Sequence, residues 1–162
     1  VKTFFNILGP TANPSQPQKQ LSGVYNLELS RLYGHLFYEV FERFAIVHSL
    51  DCYDEISLTS DFKLITHQNE SVVAPEQLGV KKLNQQDLYG GESVADAIEI
   101  FKKIIGGSGT QAQNDVVVAN AGLAIWVANT NRSLMDCIGQ ARESLLMGNA
   151  KRCFDTFLSI NS

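Results

Sequence analysis

The chain has no long apolar run: nothing in it approaches the roughly 20 consecutive apolar residues that a membrane-spanning helix requires. Its first residues, VKTFFN, lack the basic-then-apolar layout of a secretion signal, and the absence of an initiator methionine leads us to expect a processed chain or an excised piece. Positive charge is in short supply. With 13 Lys and Arg against 17 Asp and Glu, the net charge is −4, so nothing draws the surface as a whole to phosphate backbones or anionic lipid. Neither nucleic acid nor membrane is an expected partner. Cysteine is limited to Cys52, Cys137 and Cys153, widely spaced and without a CxxC pair, which fits neither a disulfide framework nor a zinc cluster. A reducing, cytoplasmic setting is expected. No GxSxG turn is present for a serine hydrolase, no GK[ST] for a phosphate loop, and no internal repeat or low-complexity tract.

What is present is enough for one core. At 162 residues, with 44% hydrophobic and 19% charged, the composition predicts a single globular domain. LGPTANPSQPQKQ concentrates Gly9, Pro10, Pro14 and Pro17 and reads as a loop. QLSGVY (20–25) reads as a buried strand. From Leu27 to Phe41, the residues Leu29, Leu32, Leu36, Phe37, Val40 and Phe41 recur at spacings of three and four, one face of a helix capped by Asn26. FAIVHS follows as a second strand. Strand, helix, strand predicts a largely parallel sheet covered by helices. FKLITHQNESVVAPEQLG (62–79) predicts a hairpin or antiparallel extension of that sheet. Beyond Ser93 the pattern is helical, over 93–105, 113–130, 133–148 and 150–159, with GGSG (106–109) as connector. Those glycines follow a helix, so a linker rather than a phosphate cradle is expected. In the helix over 113–130, Ala119, Ala121, Gly122 and Ala124 allow close packing of a central buried element.

The chemistry concentrates in AIVHSLDCYDEISLTSD (45–61), where an apolar strand end delivers the chain into a loop carrying Asp51, Asp54 and Glu55. At this acidic content about two pairs of adjacent acids arise by chance, so position must give the pair its value. Ligands of open parallel sheets gather outside the carboxyl ends of the strands, and hard carboxylate oxygens there suit Mg²⁺ escorting a polyphosphate. The alternative is a solvated turn. Asp51 is either a third acid or a residue bonding its own turn. His48, at the strand end, is either a proton-transfer group or a structural histidine with no nucleophile near it in sequence. His35 and His67 share no ligand spacing. The Gly9-Pro10 turn either admits a flat ligand close to the backbone or is simply rigid.

Taken together and in order, FFNILGPTANP (4–14), QLSGVY (20–25), IVHSLDCYDEIS (46–57), GGESVADAI (90–98) and QNDVVVANAGLAIWVA (113–128) resemble the carboxyl-terminal half of the anthranilate phosphoribosyltransferase family. The resemblance covers essentially the whole chain. It implies an α/β fold with a largely parallel sheet, an antiparallel extension, flanking helices and a mostly helical carboxyl-terminal half. It also implies transfer of phosphoribosyl from phosphoribosyl pyrophosphate to anthranilate in tryptophan biosynthesis. By the same resemblance Asp54 and Glu55 hold Mg²⁺ with the pyrophosphate, Gly9 and Pro10 lie beside the anthranilate channel, and Asn6 is structural. No catalytic residue is carried over.

Several family features have no counterpart in these residues: the GTGGD diphosphate loop, the KHGN segment, the arginine that grips anthranilate and the helical domain that forms the homodimer. The expectation is therefore a catalytic-domain fragment over 1–162, silent by itself. Ser49 stands where glycine is usual, Cys52-Tyr53 where Gly-x is common, and Thr11 where an apolar residue is usual, so a differently shaped loop is expected after the second strand. A related nucleoside phosphorylase, a non-catalytic nucleic-acid-binding relative of the same fold, and a structural domain whose doublet is only a turn are the alternatives; the acidic balance speaks against the nucleic-acid binder.

Overall fold

A computed structural model describes residues 8–129 and 131–160. Asn6, with the rest of residues 1–7, lies outside them. The contacts resolve two compact units, Val1–Ala74 and Pro75–Ser162.

In the first unit, β1 (Lys19–Gly23) leads into α1 (Leu27–Val40), β2 (Arg43–Ser49), β3 (Phe62–Thr66) and β4 (Glu70–Val73). The sheet order is β1-β2-β3-β4. The β1–β2 pair is parallel, joined through α1, while β2–β3 and β3–β4 are antiparallel. The mixed α/β class and the antiparallel hairpin are as expected. The proportion differs: among the described residues one ladder of three is parallel, because residues 50–61 between β2 and β3 form turns and no crossover helix, and β3 and β4 are joined by a tight turn. The Gly9–Pro14 region is not wholly loop either, since Gly9–Thr11 forms one 3₁₀ turn, with the Thr11 hydroxyl donating to the Leu8 carbonyl at 2.8 Å.

Asn26 caps α1 as expected, its side chain accepting from the Leu29 N–H at 2.8 Å. The face that α1 buries is narrower than its apolar spacing implies. Leu29, Tyr33, Phe37 and Phe41 are buried, whereas Leu32, Leu36 and Val40 remain 48%, 43% and 63% exposed. Both rows step by four residues, but they lie on adjacent stripes of the helix and only one meets the sheet. The buried row is aromatic and continuous with the strands: Phe37 stacks on Tyr33 at 5.0 Å and meets Phe41 and Phe44 edge-on at 4.7 and 5.7 Å. Val24, Ile46 and Ile65 complete this core.

In the second unit, α2 (Val94–Ile105), α3 (Gln111–Ala128), α4 (Leu134–Leu146) and α5 (Asn149–Ile160) follow two short 3₁₀ turns. The starts of α2, α3 and α4 are set by capping boxes, Ser93 with Asp96, Thr110 with Gln113 and Ser133 with Asp136. GGSG is a helix stop: Gly107 sits at φ 76°, and the N–H of Ser108 returns to the Lys103 carbonyl at 2.8 Å. On α3, Val118, Ala119, Gly122, Leu123 and Val127 are buried. A Cβ on Gly122 would lie 2.6 Å from Ile138 Cγ1 and 2.8 Å from its Cα, so the missing side chain is what lets α4 approach. Asp115, buried on α3, pairs with Arg142 of α4 at 2.8 Å. Among the described residues no helix is long and apolar enough to cross a membrane.

Candidate functional site

The carboxyl ends of β1 and β2 are fastened side by side. The Val24 N–H donates to the Val47 carbonyl at 3.0 Å, continuing the ladder one residue beyond β1. His48, 4% exposed, bonds the Val24 carbonyl through Nδ1 at 2.8 Å. A carbonyl only accepts, so Nδ1 carries the proton and His48 serves as a clasp between the two strand ends. This is the structural one of its two readings.

From that edge the chain turns sharply. The Cys52 N–H returns to the Ser49 carbonyl and the Ser49 N–H to the Tyr53 carbonyl, each at 2.9 Å, with Cys52 at φ 75°. That conformation is the one glycine adopts freely, so a cysteine where Gly-x is common leaves the backbone in a glycine-type turn and burdens it with strain. Ile56 and Leu58, both fully buried, anchor the outgoing arm. Among the described residues Asp51 does not bond the backbone of its own turn through its carboxylate. It accepts from the Ser57 hydroxyl at 3.1 Å and from the Thr59 hydroxyl, so its carboxylate braces the two arms of the loop.

Asp54 and Glu55 sit at the crest between these arms, both exposed. No ion pair engages either of them among the described residues. The Glu55 carboxyl is held above its ordinary range, first by partial removal from water and second by the charge of Asp54 beside it. A cation would relieve that repulsion. Among the described residues no cluster of three or more His, Cys, Asp or Glu is disposed to hold a metal; the doublet offers two adjacent carboxylates. Such a site fits Mg²⁺, which commonly takes one or two carboxylates and completes its shell with water and phosphate.

Gly23, which carried no signal in the sequence beyond a glycine near a strand end, decides where the crest lies. A Cβ there would fall 1.6 Å from the carbonyl oxygen of Asp54 and 2.7 Å from its carbonyl carbon. The loop therefore lies directly on the end of β1, backbone against backbone. A glycine in a strand often marks such an approach.

Gly9 and Pro10 are placed elsewhere. Pro10 lines a cleft of about 570 Å³ with Thr11, Asn13, Gln18, Val40 and Phe41. Gln18, Val40 and Phe41 flank the amino ends of β1 and β2, which the length of β2 separates from the carboxyl ends by roughly 20 Å. This cleft and the acid loop do not form one pocket. Among the described residues Gly9 does not line the cleft, and a Cβ on it would meet nothing within 4 Å.

Against known proteins, the chain is 47% identical over 161 residues to the anthranilate phosphoribosyltransferase of Bacteroides fragilis, covering 99% of this chain and 49% of that protein. It thus spans about half the length of the relatives it matches. Its fold matches the crystal structure of anthranilate phosphoribosyltransferase from Thermus thermophilus with a TM-score of 0.86 at 25% identity, over 98% of this chain and 48% of that one. The Saccharomyces cerevisiae enzyme in complex with PRPP and Mg superposes with a TM-score of 0.84 at 22% identity, over 98% of this chain and 46% of that one, a likeness of fold. The pattern described as "Glycosyl transferase family, a/b domain" matches residues 1–151, and the chain belongs to that family.

Proposed function

We propose that the protein to which this chain belongs transfers a phosphoribosyl group from phosphoribosyl pyrophosphate to the amino nitrogen of anthranilate, a step of tryptophan biosynthesis, in the cytoplasm. The carrying observation is the Asp54-Glu55 doublet, two adjacent acids without an ion pair among the described residues, held against Gly23 at the carboxyl ends of a parallel strand pair. The likeness to anthranilate phosphoribosyltransferases over nearly the whole chain supports it.

In this reading the C1′–O bond to pyrophosphate breaks with its electron pair leaving on the diphosphate, the amine lone pair forms the new C1′–N bond, and the amine gives up a proton. Mg²⁺, when bound, neutralises negative charge accumulating on the leaving group. Asp54 and Glu55 orient the cation–diphosphate through their carboxylates. The amine must reach C1′ beside the diphosphate, so the Gly9-Pro10 turn, roughly 20 Å from the doublet, borders the channel by which the flat acceptor enters rather than the reacting atoms. The 162 residues form one catalytic α/β piece, and the whole protein acts as a homodimer with its remaining ligands supplied from outside these residues.

Phosphoribosylanthranilate fluorescence tests this in the full-length protein. Asp54→Asn together with Glu55→Gln is expected to lower kcat/KM on the order of 100-fold at fixed Mg²⁺, and the isolated 162 residues to form no product. Undiminished turnover by the doubly amidated protein removes the doublet from the chemistry.

A further inference from the structure

Ser49, the last residue of β2, is fully buried, and the doublet's own chemistry makes no use of it. Its hydroxyl donates to the Glu55 carbonyl at 2.5 Å and accepts from the Ser57 N–H at 3.1 Å. A single side chain thus ties the strand end to the outgoing arm on the far side of the acids. A hydroxyl is both donor and acceptor, which neither alanine nor glycine replaces.

Resting on the phosphoribosyl-transfer reading above, we infer that Ser49 is a positioning residue for the divalent cation: its hydroxyl fixes the Glu55 peptide so that both carboxylates of the doublet meet a cation–diphosphate complex together.

The loop needs this restraint on one side only. On the incoming side the Asp54 backbone already rests on Gly23 and the turn is closed by the Cys52 N–H to the Ser49 carbonyl. On the outgoing side, Ile56 and Leu58 bury their side chains, and the Glu55 carbonyl that precedes them is held by Ser49 Oγ. A two-carboxylate site offers few protein ligands, so its affinity depends on both being set beforehand.

The test uses the full-length protein with Mn²⁺ and inorganic pyrophosphate, bound cation being followed by electron paramagnetic resonance and the loop by amide hydrogen exchange. Ser49→Ala is expected to weaken Mn²⁺–pyrophosphate binding about 10-fold and to speed exchange at the Glu55 to Ser57 amides. Ser49→Gly, which adds no bulk, is the second variant and is expected to do the same. Ser30→Ala is the control: Ser30 is as buried, at 1% exposed, but its hydroxyl bonds the Asn26 carbonyl at the head of α1. It should lower stability and leave cation binding alone. Unchanged binding in Ser49→Ala or Ser49→Gly overturns the inference, as does equal weakening by Ser30→Ala. A wild-type protein that binds no Mn²⁺–pyrophosphate overturns the phosphoribosyl-transfer reading as well; normal binding with indifferent Ser49 variants overturns this inference alone.

Discussion

Replacing Gly23 with alanine sets a methyl carbon 1.6 Å from the Asp54 carbonyl oxygen and 3.2 Å from the Asp54 Cβ. Non-bonded carbon and oxygen rest at about 3.5 Å, so the Asp54 peptide must retreat by about 2 Å or the end of β1 must bend away. Neither movement is free. The opposing atom belongs to backbone, the loop is tied at Ser49 and Asp51, and the end of β1 is clasped by His48. Overpacking of this kind costs about 1–3 kcal/mol, and the rigidity on both sides places Gly23→Ala at the upper end. At a few degrees per kcal/mol for a chain of this size, the Tm should fall by roughly 5–10 °C. Circular dichroism melting measures the loss, and backbone NMR locates it: the Asp54 and Glu55 amide resonances should move while those of β3 and β4 stay. Gly9→Ala is the matched control, with nothing within 4 Å of the new methyl among the described residues and an expected change inside about 0.5 kcal/mol. If Gly23→Ala melts with wild type and leaves the Asp54 amide in place, the loop does not rest on β1, and the case for a held doublet fails with it.

Cys52→Gly should stabilise the chain by about 1 kcal/mol, because a non-glycine residue at φ 75° carries the left-handed penalty; a melting midpoint no higher than wild type would show that Cys52 is unstrained. The Asp96 and Asp136 carboxyls are each held below their ordinary range, first by the hydroxyl bonds from Ser93 and Ser133. A depressed folded-state pKa contributes stability that is fully present above the unfolded value of about 3.9 and lost as pH falls through the folded one. The helical unit should therefore loosen progressively below about pH 4, and Asp96→Asn with Asp136→Asn should flatten the acid limb of a Tm-against-pH curve; an unaltered limb would refute the assignment.

How much was legible depended on how far the deciding contacts reach along the chain. The start of α1 was readable because a cap and its partner lie within one turn, as Asn26 with Leu29 do; α3 starts at Gln111, two residues ahead of the expected 113, because the Thr110 capping box draws the helix back. The hairpin between β3 and β4 was readable for the same reason as α1, its turn closing from Thr66 to Asn69. The face of α1 was only half legible. Spacing of three and four marks a broad apolar band, and which stripe is buried depends on where the sheet lies. Glycine-like geometry at Cys52 could not be read from the residue itself, whose type argues against the conformation it takes; only the glycine common at that place in the resembled family pointed to it.

Sequence alone determined the class of the fold, the order of its elements and the presence of two adjacent carboxylates after a strand, because periodicity, capping and turn chemistry are short-range properties. The tertiary structure alone decided that the doublet lies on Gly23, that Ser49 and Asp51 brace its loop rather than join it, and that the Pro10 cleft opens at the other end of β2. Those facts are distances between residues far apart along the chain, and such distances exist only once the strands have paired and the backbone has closed upon itself.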